Sequence, residues 1–168
     1  LSSGSRILFP ATPATSAGID RHRLATSVCD GVKALVAEQQ EAQREPATSS
    51  GSDPGSALSA AMALALCHIH RGMQNHPETE SRILVVQVAP DEPGQHIAMM
   101  NCLFTAQHMG VAVDACVLAS ADSIFLQQAS FLTDGIYFKP SAPPRADTDP
   151  VLLQYLLTVF LAGKAARK

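Results

Sequence analysis

Ile83-Leu84-Val85-Val86-Gln87-Val88 is a nearly unbroken run of branched apolar residues, about the length of one strand. Such a run suits a strand covered on both faces in a parallel sheet, where alternation of polar and apolar residues is not needed. It is therefore expected to be the central strand. On that reading Val85, Val86 and, in a later strand, Val117 rank among the most buried residues.

Outward from this run the chain alternates strand and helix. Pro90-Asp91-Glu92-Pro93-Gly94 makes a turn, and a helix is expected from about residue 95 to Met109. There follow a strand from Val111 to Leu118, a helix from about Asp122 to Leu132, a strand from Ile136 to Lys139 and a last helix from about 149 to Ala162. Upstream, Ser5-Arg6-Ile7-Leu8-Phe9-Pro10 reads as a short strand. Leu24, Val28, Val32, Leu35 and Val36 mark an amphipathic helix over about 20–44, with Asp20 as its N-cap. The loop formers of 45–56 separate it from a second helix, which starts near Pro54, carries the Ala- and Leu-rich stretch 57–70 and ends before Asn75-His76-Pro77. Alternation of this kind predicts an α/β fold with a mostly parallel sheet, right-handed crossovers and helices on both faces.

Composition narrows the function classes. The chain has 168 residues, a net charge of −3 and no block of Lys or Arg, which argues against direct binding to nucleic acid. Its longest apolar run, Val151 to Ala162, is too short to cross a bilayer and is broken by Gln154 and Thr158, so no membrane association is expected. Cys29, Cys67, Cys102 and Cys116 are far apart and form no C-x-x-C pair, as reduced core cysteines of an intracellular protein would be. Only 16% of residues are charged against 46% hydrophobic, and some of that apolar surface should meet a partner.

No catalytic constellation is legible. The strand ends lack the dinucleotide glycine fingerprint, and neither a Walker lysine motif nor a G-x-S-x-G elbow occurs. His68 and His70, at i and i+2, face different sides of a helix, and His96 and His108 are twelve residues apart. Asp91 and Asp122 each follow a strand end, where open α/β sheets place their ligand crevice. Capping is the favoured role for Asp122, opening the helix after strand 111–118, and a turn role for Asp91.

Several words of the chain, in this order, carry a resemblance. They are Ala65-Leu66-Cys67-His68-Ile69-His70-Arg71, Ser81-Arg82-Ile83-Leu84-Val85-Val86, Met100-Asn101 with Phe104 and Ala106-Gln107, Asp114-Ala115-Cys116-Val117-Leu118, Leu126-Gln127-Gln128-Ala129 and Leu152-Leu153-Gln154-Tyr155-Leu156-Leu157. Together with Ser5 to Pro10 they make the chain similar to the smaller von Willebrand factor A subunit of the transcription and repair factor TFIIH. The resemblance spans nearly all of 1–168. It implies a Rossmann-like von Willebrand-A domain, apparently without its first strand and without the family's C-terminal four-cysteine zinc module. It also implies a nuclear, non-catalytic structural subunit acting in RNA polymerase II initiation and nucleotide excision repair. Its expected partners are the RING-like zinc-binding domain of the larger von Willebrand-A subunit and the other core subunits. Metal-binding relatives of the fold use D-x-S-x-S after the first strand, a Thr and an Asp. Here the motif is absent, Ser52 is the nearest match for the Thr and Asp91 is displaced, so no metal or other cofactor is expected in this segment. Two alternatives stand beside this reading: a von Willebrand-A domain of the proteasomal ubiquitin-receptor type, and a metal-dependent α/β hydrolase using Asp91 and Asp122.

The helix 95–109 supplies the candidate partner surface. Ile97, Met100, Phe104 and His108 follow the spacing of a core-facing stripe, which leaves His96, Met99 and Leu103 on an adjoining stripe with no charged residue nearby. Those three are the expected partner-binding residues, with a neighbouring helix of the same domain as the competing cover.

Overall fold

The computed structural model describes residues 57–140 and 151–161, together with Thr26, 29–34 and Ala37. The chain divides into two units, 1–57 and 58–168. In the first unit Thr26, 29–34 and Ala37 are helical, within the expected helix; the expected strand 5–10 and Ser52 lie outside the described residues. The second unit runs α1 (Leu58–Asn75), β1 (Arg82–Gln87), a single 3₁₀ turn (Pro93–Gln95), α2 (His96–His108), β2 (Ala112–Val117), α3 (Ile124–Leu132), β3 (Tyr137–Phe138) and α4 (Val151–Tyr155), which continues as a π-helical turn over Leu156–Phe160.

The three strands form a parallel sheet in the order β1-β2-β3, with Val85 beside Ala115 and Cys116 beside Phe138. Consecutive helices cross between parallel neighbours, as the alternating pattern predicts. One face of the sheet presents Ile83, Val85, Val113, Ala115, Val117 and Tyr137 to a core completed by Met62 and Leu66 of α1, Met99, Leu103 and Ala106 of α2, and Leu126 and Ala129 of α3. The opposite face carries Phe138, whose ring packs at 4.8 Å against Tyr155 and at 6.3 Å against Phe160. Helices thus lie on both faces.

The sheet corrects the expectation for the strand from which the reading began. Among the described residues β2, not β1, is the middle strand, and Val113 to Val117 are all buried. Val117 meets its expectation, Val85 is only half-buried and Val86 is 45% exposed. Pairing on one side alone is the cause. Leu84 and Val86 lie on the face that carries Phe138, but α4 packs there over β3 and leaves them 41% and 45% exposed, so an apolar run at β1 reflects strand propensity without burial.

Local chemistry pins the helices to β2. The hydroxyl of Thr133 donates to Ala129 O at 2.7 Å and accepts from Val113 N at 2.9 Å, so it closes α3 and satisfies a strand amide in one group. The chain then turns through Asp134, at φ 55, to Gly135. A Cβ on Gly135 would sit 2.0 Å from Val113 O, closer than any real contact, so this position accepts only glycine. At the other end of the layer Gln95 Oε1 accepts from Ser59 N at 3.1 Å and Ser59 Oγ at 2.8 Å, tying the first turn of α1 to the start of α2. No helix among the described residues is long and apolar enough to cross a membrane.

Two stability measurements follow. Val117→Ala should cost about 1–3 kcal/mol through lost burial and a residual cavity, whereas Val86→Ala should cost under about 1 kcal/mol. Thermal or urea unfolding that ranks them the other way would return β1 to the centre of the sheet. Thr133→Val, by orphaning the buried Val113 amide, should cost about 1–3 kcal/mol.

Candidate interaction surface and strand-end crevice

The crevice at the carboxyl ends of the strands collects Asp91 after β1, Asp122 and Ser123 after β2, and the phenol of Tyr137 from β3. Ser123 is the N-cap of α3, its hydroxyl accepting from Leu126 N at 3.1 Å. That same hydroxyl donates to Asp91 Oδ1 at 2.6 Å, and Asp91 Oδ2 accepts from Phe125 N at 3.2 Å. Gln87 Nε2 adds a third donor to Asp91, at 3.0 Å. The carboxylate therefore neutralises the positive end of α3 from across the crevice. Asp122, the expected cap, instead accepts from Tyr137 OH at 3.1 Å and lies 3.2 Å from Lys139 Nζ. Asp91, expected to serve a turn, thus supports the start of α3, whereas Asp122, expected to cap that helix, bonds to β3 and Lys139 instead.

This arrangement does not suit the group that the wider fold can bind. A hydrated divalent ion needs several free oxygen ligands, whereas both Asp91 oxygens are already engaged by protein donors. Among the described residues no three His, Cys, Asp or Glu side chains converge on a point. Nor does a free base face a nucleophile: Ser123 Oγ is bonded to Asp91 but also committed to the Leu126 amide. Of the four cysteines expected in the core, Cys29 and Cys67 are exposed, Cys102 is half-buried and Cys116 is buried. Burial pushes the Cys102 and Cys116 thiols up, Cys67 adding to the effect on Cys102, and a protonated thiol is a poor nucleophile.

One exposed apolar surface lies on α2 and α3, and it inverts the expected faces of α2 except at Met100, which packs partly buried against the core. Met99 is 1% and Leu103 0% exposed; both point into the core with Ala106, and cannot form a partner surface on the folded domain. Ile97 is 77% exposed, and Phe104 and His108 are exposed as well. Of the three residues expected to bind a partner only His96 is exposed, its ring 5.7 Å from that of Phe125. At about 100° per residue Ile97 and Phe104 lie nearly opposite Met99, Leu103 and Ala106, and both rows are apolar. Periodicity alone could not choose between them. A usable signal was Ala106, the small residue that lets a helix approach a sheet closely.

Beside α2, the outward side of α3 carries Ile124 and Phe131, the latter 85% exposed. Neither helix contains Asp, Glu, Lys or Arg. The two neighbouring helices thus display large apolar side chains among neutral polar ones such as Gln127 and Gln128, with no charge to hold water against them.

Comparison with known proteins bears on what such a surface meets. A family model described as "Transcription factor Tfb4" matches residues 5–168. A curated relative in Dictyostelium discoideum, "General transcription factor IIH subunit 3", is 46% identical over 67% of this chain and 29% of its own length. One in Arabidopsis thaliana, "General transcription and DNA repair factor IIH subunit TFB4", is 36% identical over 84% of this chain and 45% of its own length. The chain thus spans less than half the length of either relative. Among solved structures, one described as the "TFIIH p34 N-terminal Domain" superposes with a TM-score of 0.62 at 27% identity, covering 83% of this chain and 64% of the other.

These roles in the crevice can be measured. Asp91→Ala should cost about 1–2 kcal/mol through the lost cap, and Asp122→Ala under about 0.5 kcal/mol. Equal costs in chemical unfolding would mean that Asp91 does not support α3.

Proposed function

The chain belongs to the Tfb4 family, and on that premise we propose that it is a non-catalytic structural subunit of TFIIH, nuclear, serving RNA polymerase II initiation and nucleotide excision repair. In this reading the domain is of the von Willebrand-A type, needs no metal or other cofactor in this segment, and acts by docking the RING-like zinc-binding domain of the larger von Willebrand-A subunit. The observation that carries it is the uncharged outward surface of α2 and α3, with Ile97, Phe104, Ile124 and Phe131 exposed. A monomeric enzyme would have no use for it, and the strand-end crevice, where a hydrolase would place its chemistry, is occupied by helix capping. The names of the relatives support a TFIIH subunit over a proteasomal ubiquitin receptor.

Aromatic side chains in the centre of an interface commonly contribute over 2 kcal/mol each, and burying an unpaired carboxylate adds a desolvation cost. Phe104→Glu and Phe131→Glu should each weaken binding to the RING-like domain by about 100-fold or more, measured by calorimetry, while the melting temperature stays within a few degrees of the parent. Met99→Glu, in the core, should unfold the domain. Unchanged affinity in both phenylalanine variants would remove this surface from the interface.

A further inference from the structure

A second surface feature lies on the other flank of α2. Between α1 and α2 runs an open groove of about 580 Å³. Leu66, Ala63 and Met109 make its apolar bed, Cys67 lies along it, and among the described residues His70 and Arg71 supply the ionised or ionisable nitrogens on its wall. Among the described residues no carboxylate lines it. Arg71 is exposed and forms no ion pair among the described residues. An apolar channel with a guanidinium on its wall, and no carboxylate among the described residues that line it, is complementary to an acidic, amphipathic segment.

The volume suits two or three side chains of a peptide. A nucleic acid would need more than one cation along its path, and so would an anionic membrane. The groove is also distinct from the α2–α3 surface. Asn101, Thr105 and Met109, which line it, lie on the α1 side of α2, whereas Ile97 and Phe104 point outward.

We propose that this groove seats an acidic, amphipathic segment of another subunit, its apolar side chains over Leu66 and Met109 and a carboxylate paired with Arg71. The inference rests on membership of the assembly and not on the RING-docking surface. Cys67, exposed in the groove, reports on occupancy.

In the assembled complex, a benzophenone amino acid replacing Cys67 should crosslink to a segment of another subunit that carries Asp or Glu within one helical turn of an apolar residue. With the natural residue in place, alkylation of Cys67 by N-ethylmaleimide should slow at least about tenfold on assembly. Arg71→Glu should abolish both effects and Arg71→Lys should keep most of each, since a charge-assisted bond is worth about tenfold or more in affinity. Crosslinks only within this chain, to a segment without carboxylates or to nucleic acid, or protection that survives Arg71→Glu, would overturn the proposal. Phe104→Glu separates the two surfaces: it should break RING-domain binding measured on the pair alone and leave the Cys67 crosslink in the larger complex. A chain that never enters the complex overturns both readings.

Discussion

Complete burial of β2 governs the architecture. From Val113 to Val117 every side chain is withdrawn from water, alternate residues meeting the α1–α3 layer and the face that carries Phe138. A strand sealed on both sides must satisfy each polar group inside the protein. β1 supplies one ladder along its whole length, but β3 is two residues long and leaves the other edge short of partners. The gaps are filled by specific groups. Thr133 Oγ1 takes the Val113 amide, Ile136 O takes the Ala115 amide at 2.7 Å, and Asp114 Oδ1 accepts from Ile136 N at 2.9 Å. The buried Asp114 is therefore a ladder substitute, with Arg82 at 4.0 Å across the neighbouring strand.

Once β2 is fixed, the placement of α2 and α3 follows. Each must lay an apolar row on the same face of the sheet, and each is apolar on more than one side. The rows that go in are Met99, Leu103 and Ala106 from α2 and Phe125, Leu126 and Ala129 from α3. What remains outside is equally apolar, which is how a small domain comes to display Phe104 and Phe131. The apolar outer surface is thus a by-product of a core that needed only one side of each helix.

The alternation of strands and helices was legible because it depends on local properties: branched runs, turn formers and helix breakers. Elements at 83–88, 95–109, 111–118, 122–132 and 136–139 all occur close to their expected bounds. Burial was less legible, since it depends on what packs where. Val86 belongs to a fully apolar strand yet is exposed, and Met99 and Ile97 exchanged their expected faces, because a helix that is apolar all round has no moment to orient it. The crevice shows the same limit. An aspartate ahead of a helix is a sound cap signal, but Asp91, thirty-odd residues upstream, reaches α3 only through the tertiary fold.

The account stands on which side of α2 is inside and which side is covered by a partner. Hydroxyl-radical footprinting of the free chain and of the assembled complex measures both at once, because methionine and phenylalanine are readily oxidised when wet. The account predicts that Phe104 and Phe131 are oxidised in the free chain and protected in the complex, while Met99 stays unreactive in both. Oxidation of Met99 in the folded free chain, or equal oxidation of Phe104 and Phe131 in the two states, would contradict it.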